Sequence, residues 1–335
     1  MMERRRFLSA LSVGLLAAPL AAEAQQAKKI ARVGLLWFGP PPSQGQIAQP
    51  SFVAAMSERG WVEGQNLVIE RRYGESLNQF HQFSAELGRL KVDVIVVFNA
   101  ALAAIAQLEA KDTPIVIYNS GLDLVRMGLV ASLAKPGGNV TGFQGLQSEL
   151  LGKRLQLLKE LVPNLLRVAW LTGAVTMAAI PSADLARDVE LAEDSARFLG
   201  LELHRLSATR SEDLPALFRD MVNKRDRGLM VNAGTFTNAH RKQIVDLATQ
   251  HRIPAMFSFK TWVEAGGFVS YGTKNPEAWR RTAVFVDKIL KGAKPGDLPI
   301  ERSTEFELVI NMKTARALGL TIPPSLLQRA DHVIE

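Results

Sequence analysis

The chain has 335 residues, 47% of them hydrophobic, a formal net charge of +7 and no cysteine. The positive excess is mild and dispersed, with no block of five or six like charges, so a basic arm or stripe that grips nucleic acid is not indicated. Without cysteine there is neither a disulfide scaffold nor a lipid-attachment thiol, and a chain of this length must rely on its core.

The N-terminus carries an export pattern. Arg4, Arg5 and Arg6 form a basic start, Phe7 to Leu20 is an apolar stretch, and Ala22-Glu23-Ala24 gives the small-x-small pattern that a signal peptidase reads. The apolar stretch is about 14 residues, short of the roughly 20 that a spanning helix needs. Residues 1–24 are therefore expected to be a signal peptide, cleaved after Ala24, and the product periplasmic. Arg4-Arg5-x-Phe7-Leu8 has the core of a twin-arginine signal, although Glu3 stands where Ser or Thr is usual, and the general export route stays open. The remainder is long for one core and suits two lobes of about 120 to 170 residues each.

Short apolar runs alternate with helix-period segments after that. Ile30 to Trp37 reads as a strand, Pro50 to Arg59 as a helix, Asn66 to Tyr73 as a strand and Leu77 to Leu90 as a helix. Val92 to Phe98 is almost continuously apolar, the pattern of a parallel strand covered on both faces. A helix over Ala100 to Ala110, a strand over Pro114 to Tyr118, the turn Pro136-Gly137-Gly138-Asn139 and a strand from Val140 to Phe143 follow. A second series begins at Glu149, with helices over 149–161, 184–199, 214–223 and 240–251 and a short one ending at Ala265. Its strands are 167–172, 202–206, 228–232 and 254–258. Strands alternating with helices across short connections imply right-handed βαβ units and parallel sheets. The fold expected is α/β, with two doubly wound parallel-sheet lobes. No Pro/Ser linker separates them, so crossing strands should join them, with 266–272 and 305–311 as candidates. The lobe boundaries read from the sequence are 28–145 with 271–302, and 146–270 with 303–335.

Enzyme signatures are missing. There is no Gly-x-Ser-x-Gly elbow, no phosphate loop and no His-Glu-x-x-His pair. His240 and His251 are 11 residues apart on the 240–251 segment, about 16 Å along a helix axis, too far to share an ion. No catalytic residue, metal ligand or cofactor site is expected. What remains is the set of strand C-termini, where doubly wound sheets hold their ligands. Phe38 follows the first strand, Asn99 the third and Asp123 the fourth, and Gln144 follows the strand from Val140 to Phe143. In the second series Thr172, Asn232 with Thr235, and Ser258 hold equivalent places, and Tyr271 stands on the candidate crossing 266–272. Asn99 either caps the next helix or presents that helix's free N–H groups to an anion. Asp123 is a turn residue or a ligand contact, and Trp37, Phe38 and Tyr271 are core or cleft wall.

Several stretches resemble a known family. They are Gly60-Trp61-Val62-Glu63-Gly64-Gln65-Asn66, Leu90 to Val96, Gly128 to Gly142, Glu264 to Gly272, Lys288 to Pro295, Phe306 to Asn311 and Ala317 to Pro324. In these the chain resembles the ABC transporter substrate-binding proteins of the family that includes bacterial tryptophan and tyrosine binders. The resemblance implies a type I periplasmic-binding fold, a small-molecule solute as ligand and a membrane permease as partner. Such proteins often have a Gly-Gly-Thr-like turn where this chain has Phe98-Asn99-Ala100, and Asn-Pro where it has Thr172-Gly173. They also commonly have Asp-Pro where it has Asp123-Leu124 and Gly234-Thr235. The scaffold is kept while the cleft lips differ, so the solute stays open between an amino acid and a related small polar molecule. The expectation is a monomeric importer subunit that catalyses nothing. A secreted enzyme or a ligand-sensing subunit on the same scaffold are the alternatives.

Overall fold

The computed structural model describes residues 30–38, 49–145, 149–173 and 182–335. The expected signal peptide and its cleavage point at Ala24 lie outside the described residues.

The first sheet is built from β1 (Ala31–Phe38), β2 (Leu67–Gly74), β3 (Val94–Val97), β4 (Ile115–Ser120) and β5 (Val140–Gln144), with helices α1 (Pro50–Ser57), α2 (Leu77–Arg89) and α3 (Ala100–Glu109) between them. The second takes β6 (Arg167–Gly173), β7 (Glu202–Ala208), β8 (Gly228–Val231), β9 (Ala255–Phe257) and β10 (Val269–Thr273). Its helices are α4 (Leu151–Leu161), α5 (Ser182–Phe198), α6 (Leu214–Asn223), α7 (Thr235–Ala239), α8 (Arg241–Gln250) and α9 (Lys260–Glu264). The chain then returns to the first lobe for α10 (Asn275–Leu290) and β11 (Glu301–Arg302). It ends in the second with β12 (Phe306–Asn311), α11 (Met312–Ala317), α12 (Pro324–Arg329) and β13 (His332–Ile334).

Among the described residues the sheets run β11-β5-β4-β3-β1-β2 and β13-β12-β10-β9-β8-β6-β7. The pairing is parallel except where β12 runs against β10. This is the doubly wound, two-lobed α/β architecture expected from the strand–helix alternation. Each central strand feeds two cores. Val94 and Val96 face one side of the first sheet while Ile95 and Val97 face the other. In β6, Val168 and Trp170 are divided in the same way from Ala169 and Leu171. That two-sided burial is why these runs are apolar without alternation.

Local chemistry sets the element ends. Ser76 and Gln79 form a capping box at the start of α2: the Ser76 hydroxyl accepts from the Gln79 N–H, and Gln79 Oε1 accepts from the Ser76 N–H. In the turn before β2, Asn66 Oδ1 accepts from the Val62 N–H at 2.7 Å while Asn66 Nδ2 donates to the Gly60 carbonyl at 2.8 Å. Trp61 in the same turn donates its indole N–H to Asp287 on α10 at 2.8 Å, fastening the returning helix to the first lobe. Asn139 spends its amide on the carbonyls of Lys111 and Thr113, at 3.0 and 2.9 Å, so the asparagine that ends the Pro136 turn is a structural clasp.

Periodicity did not single out α10, although it carries Ala278, Ala283, Phe285, Val286 and Ile289 into the core beside Val96. Residues 271–273 were expected in the first lobe. They complete β10 instead, paired to β12 in the second sheet, and the chain crosses at Lys274. The three passages between lobes are tied by ion pairs, Arg302 to Glu149 at 2.6 Å and Lys274 to Glu305 at 3.5 Å. Exposed pairs of this kind contribute roughly 0.2–1 kcal/mol each, a minor addition to the covalent connection. Beside them lies a cavity of about 510 Å³ lined by Phe143, Thr273, Lys274, Arg281 and residues 301–305.

Two substitutions test these placements. Gly142 has φ +135°, and a Cβ there would sit 2.3 Å from the Ile117 carbonyl oxygen. Gly142→Ala should therefore lower stability in urea by about 2 kcal/mol or more, while Gly138→Ala, which meets nothing within 4 Å, should change it little. Glu307 on β12 is buried, and loss of water raises its carboxyl above the usual value of 4.5, with Asp331 adding and His332, Lys260 and Lys274 opposing. A carboxyl raised in the folded state holds its proton longer than in the unfolded chain, so stability falls as pH climbs from about 4.5. Glu307→Gln should melt higher than wild type at pH 7, and the difference should vanish near pH 4.

Candidate functional site

Parallel pairing gathers the strand C-termini on one edge of each sheet, and these two edges face each other. The Cα atoms of β1 and of α7 in the opposite lobe approach within 8 Å. Nearer the passages between the lobes, a cavity of about 100 Å³ is walled by Asp123, Arg126 and Gln144 from one lobe and by Arg187, Asp188 and Leu191 of α5 from the other, with Glu149 at the crossing. The order reverses between β1 and β3 and, in the second sheet, between β6 and β8. Such switch points open the crevice in which doubly wound proteins hold ligands.

The sequence-derived residues occupy this edge in different ways. Asn99 caps α3, its Oδ1 accepting from the Leu102 N–H at 3.1 Å. Asp123 is exposed and closes its own turn, with Oδ1 accepting from the N–H groups of Val125 and Arg126 at 3.0 and 3.2 Å. Both the turn reading and the cleft-edge placement of Asp123 are therefore present in one side chain. Thr172 donates sideways to the Leu206 carbonyl at 3.2 Å. The Asn232 carbonyl accepts from the Thr237 hydroxyl at 2.8 Å, and Thr235 opens α7. Phe38 stacks on Phe80 of α2 with ring centroids 5.7 Å apart. Tyr271 packs beside Phe306 at 6.2 Å, and its carbonyl receives the Arg154 Nε–H at 2.7 Å. Gln144 and Ser258 are almost wholly buried, and Gln144 Oε1 and Ser258 Oγ have no hydrogen-bond partner.

Three features escaped the sequence reading. Asn119 on β4 is 5% exposed, and neither its Oδ1 nor its Nδ2 has a partner. A buried polar group left unpaired costs about 1–3 kcal/mol. The stretch Tyr118-Asn119-Ser120-Gly121 marks a strand end in the sequence, but nothing there says which side chain is left unsatisfied. Next, Arg154 of α4 is fully buried, and burial lowers its guanidinium to about 9, so at neutral pH it is a charge held out of water behind β9 and β10. Finally, Trp279 of α10 joins Trp37, Phe98 and Tyr118 in an aromatic cluster, 5.3 Å from Trp37 and 4.1 Å from Tyr118. Trp37 and Phe98 flank the β1/β3 switch point and stay partly exposed. Trp279 arrives from a distant part of the chain.

The histidines serve elsewhere. His240 and His251 stand at the two cap positions of α8, the His240 side chain making no capping hydrogen bond. His81 pairs with Glu109 at 2.8 Å, and His204 with Asp226 at 2.6 Å.

Residues 45–334 match the family described as ABC transporter substrate binding protein. The chain is 25% identical over 294 residues to the tyrosine-binding protein of Clostridioides difficile strain R20291, covering 88% of this chain and 82% of that one. A conserved domain protein from Vibrio cholerae superposes with a TM-score of 0.78 at 25% identity, over 91% of this chain and all of the other. The ABC domain from Streptococcus pneumoniae in complex with L-Trp gives the same TM-score and identity, over 91% of this chain and 99% of that one.

The double placement of Asp123 can be separated by substitution. Asp123→Ala removes the turn acceptor and should lose about 1 kcal/mol of stability. Asp123→Asn keeps an oxygen for the two N–H groups and should melt within a degree or two of wild type. Equal melting of the alanine variant would show that the turn does not need this side chain.

Proposed function

Because the chain belongs to the family of ABC transporter substrate-binding proteins, we propose that it is the solute-binding component of an importer whose two lobes close on a small zwitterionic solute of the amino-acid type. It catalyses no reaction. In this reading residues 1–24 direct export, cleavage after Ala24 releases the protein to the periplasm, and the monomer delivers its solute to a membrane permease.

The observation that carries the ligand class is the interlobe cavity. Its wall brings Asp123, Glu149 and Asp188 together with Arg126 and Arg187, so groups of both signs stand where an ammonium and a carboxylate can each find a charge-assisted hydrogen bond. The names of the tyrosine-binding relative and of the L-Trp complex support the same class. The aromatic cluster of Trp37, Phe98 and Trp279 offers stacking partners for an aromatic side chain. Ligand contacts shared between lobes favour the closed form, and the closed population rises by the differential affinity for it. The weak hinge ion pairs allow such a motion.

The experiment is a thermal-shift titration with L-tryptophan and L-tyrosine, followed by small-angle scattering with any ligand that binds. A ligand present at about 100 times its dissociation constant adds about 2.7 kcal/mol of stability, enough to raise the melting temperature clearly. The radius of gyration should then fall. Unchanged melting with both amino acids would remove the amino-acid reading, and a bound ligand without compaction would remove the clamp.

A further inference from the structure

Asn119 stands out among the described residues because both polar atoms of its buried carboxamide lack a partner. It lies at an irregularity in the sheet. Along β4 and β5, Ile117 is paired with Gly142, yet the next pair is Ser120 with Gln144. Three residues on β4 therefore span two on β5, and the extra residue falls at Tyr118–Asn119. A bulge of this kind re-aims a side chain at the edge of a sheet. The backbone around it is adapted. Gly145 leaves the space that the amide fills, since a Cβ there would stand 2.1 Å from Asn119 Oδ1. Gly145 and Gln144 line the interlobe cavity, which puts the Asn119 amide behind the Gly145 stretch of that wall, and Gln144 Oε1 is unpartnered as well.

Resting on the amino-acid reading above, we propose that Asn119 recognises the head group of the solute, with Gln144 beside it. The carboxamide supplies one acceptor and one donor group, and both are unsatisfied in this structure. A zwitterionic head group satisfies them together: ammonium N–H groups donate to Asn119 Oδ1 and Gln144 Oε1, and a carboxylate oxygen accepts from Asn119 Nδ2. A binding site with buried polar groups rejects analogues that leave those groups unpaired. Neutral amides thus select the paired ammonium and carboxylate, while the charged residues of the cavity wall supply attraction.

The test uses the mature chain and the variants Asn119→Leu and, as control, Ser84→Ala, which removes an unpartnered hydroxyl on the buried face of α2. Calorimetry with L-tryptophan and with 3-indolepropionate, which lacks the ammonium group, gives the binding readout; melting of the ligand-free protein gives one that needs no ligand. Asn119→Leu should melt no lower than wild type when empty and should bind L-tryptophan at least about tenfold more weakly. Its discrimination against 3-indolepropionate should shrink, whereas Ser84→Ala should keep wild-type affinity. A drop of several degrees in the empty Asn119→Leu protein makes the amide structural and overturns the proposal, as does unchanged affinity. Should neither L-tryptophan nor L-tyrosine bind wild type, the amino-acid reading fails separately. Melting of the empty variant then still decides whether Asn119 is kept for the fold.

Discussion

Parallel hydrogen bonding between strands is the constraint on which everything else in this molecule depends. Strands that run the same way must be linked by crossovers, and the crossovers here are the helices that cover both faces of each sheet. The same arrangement places the strand C-termini on one edge, where the backbone turns outward and side chains such as Asn99 and Asn119 lose their sheet neighbours. Two such edges confront each other because the chain changes sheets after β5, after β10 and after β11. Three covalent passages join the lobes, and the exposed ion pairs that decorate them add little to that connection.

The family-like stretches turn out to be mostly joinery. Gly60 to Asn66 is a turn clasped by the Asn66 side chain and riveted to α10 through Trp61. At Pro136 to Asn139, the Gly137 N–H donates to the Gly296 carbonyl at 3.0 Å, and the Asn139 amide spans the Lys111–Thr113 loop. Such positions tolerate few alternatives because a backbone group would lose its partner. A few buried polar groups obey a different logic. Asn119 and Gln144 carry unsatisfied atoms, and Arg154 keeps a charge away from water. Each is unfavourable for folding by itself, and sites of binding are where proteins retain such groups.

What the sequence by itself determined was the scaffold. The buried strand Val94–Val97, the capped α2 and the helix α6 were all legible, since two-sided burial and helical periodicity write themselves into local composition. Strand ends were legible too, which is why Asn99, Asp123, Gln144, Thr172, Asn232 and Ser258 were all found near the facing edges. Tertiary structure alone decided which of these are occupied and which are left wanting. Asn99 and Asp123 are satisfied by neighbours two or three residues away, whereas Asn119 is unsatisfied because of a bulge set by pairing with a strand more than twenty residues on. Trp279 enters the aromatic cluster, and residues 271–273 join the second sheet, through contacts between segments far apart in the chain. Local pattern records whether a residue is buried. Hydrogen-bond satisfaction is a property of the assembled neighbours, and no window of sequence contains them.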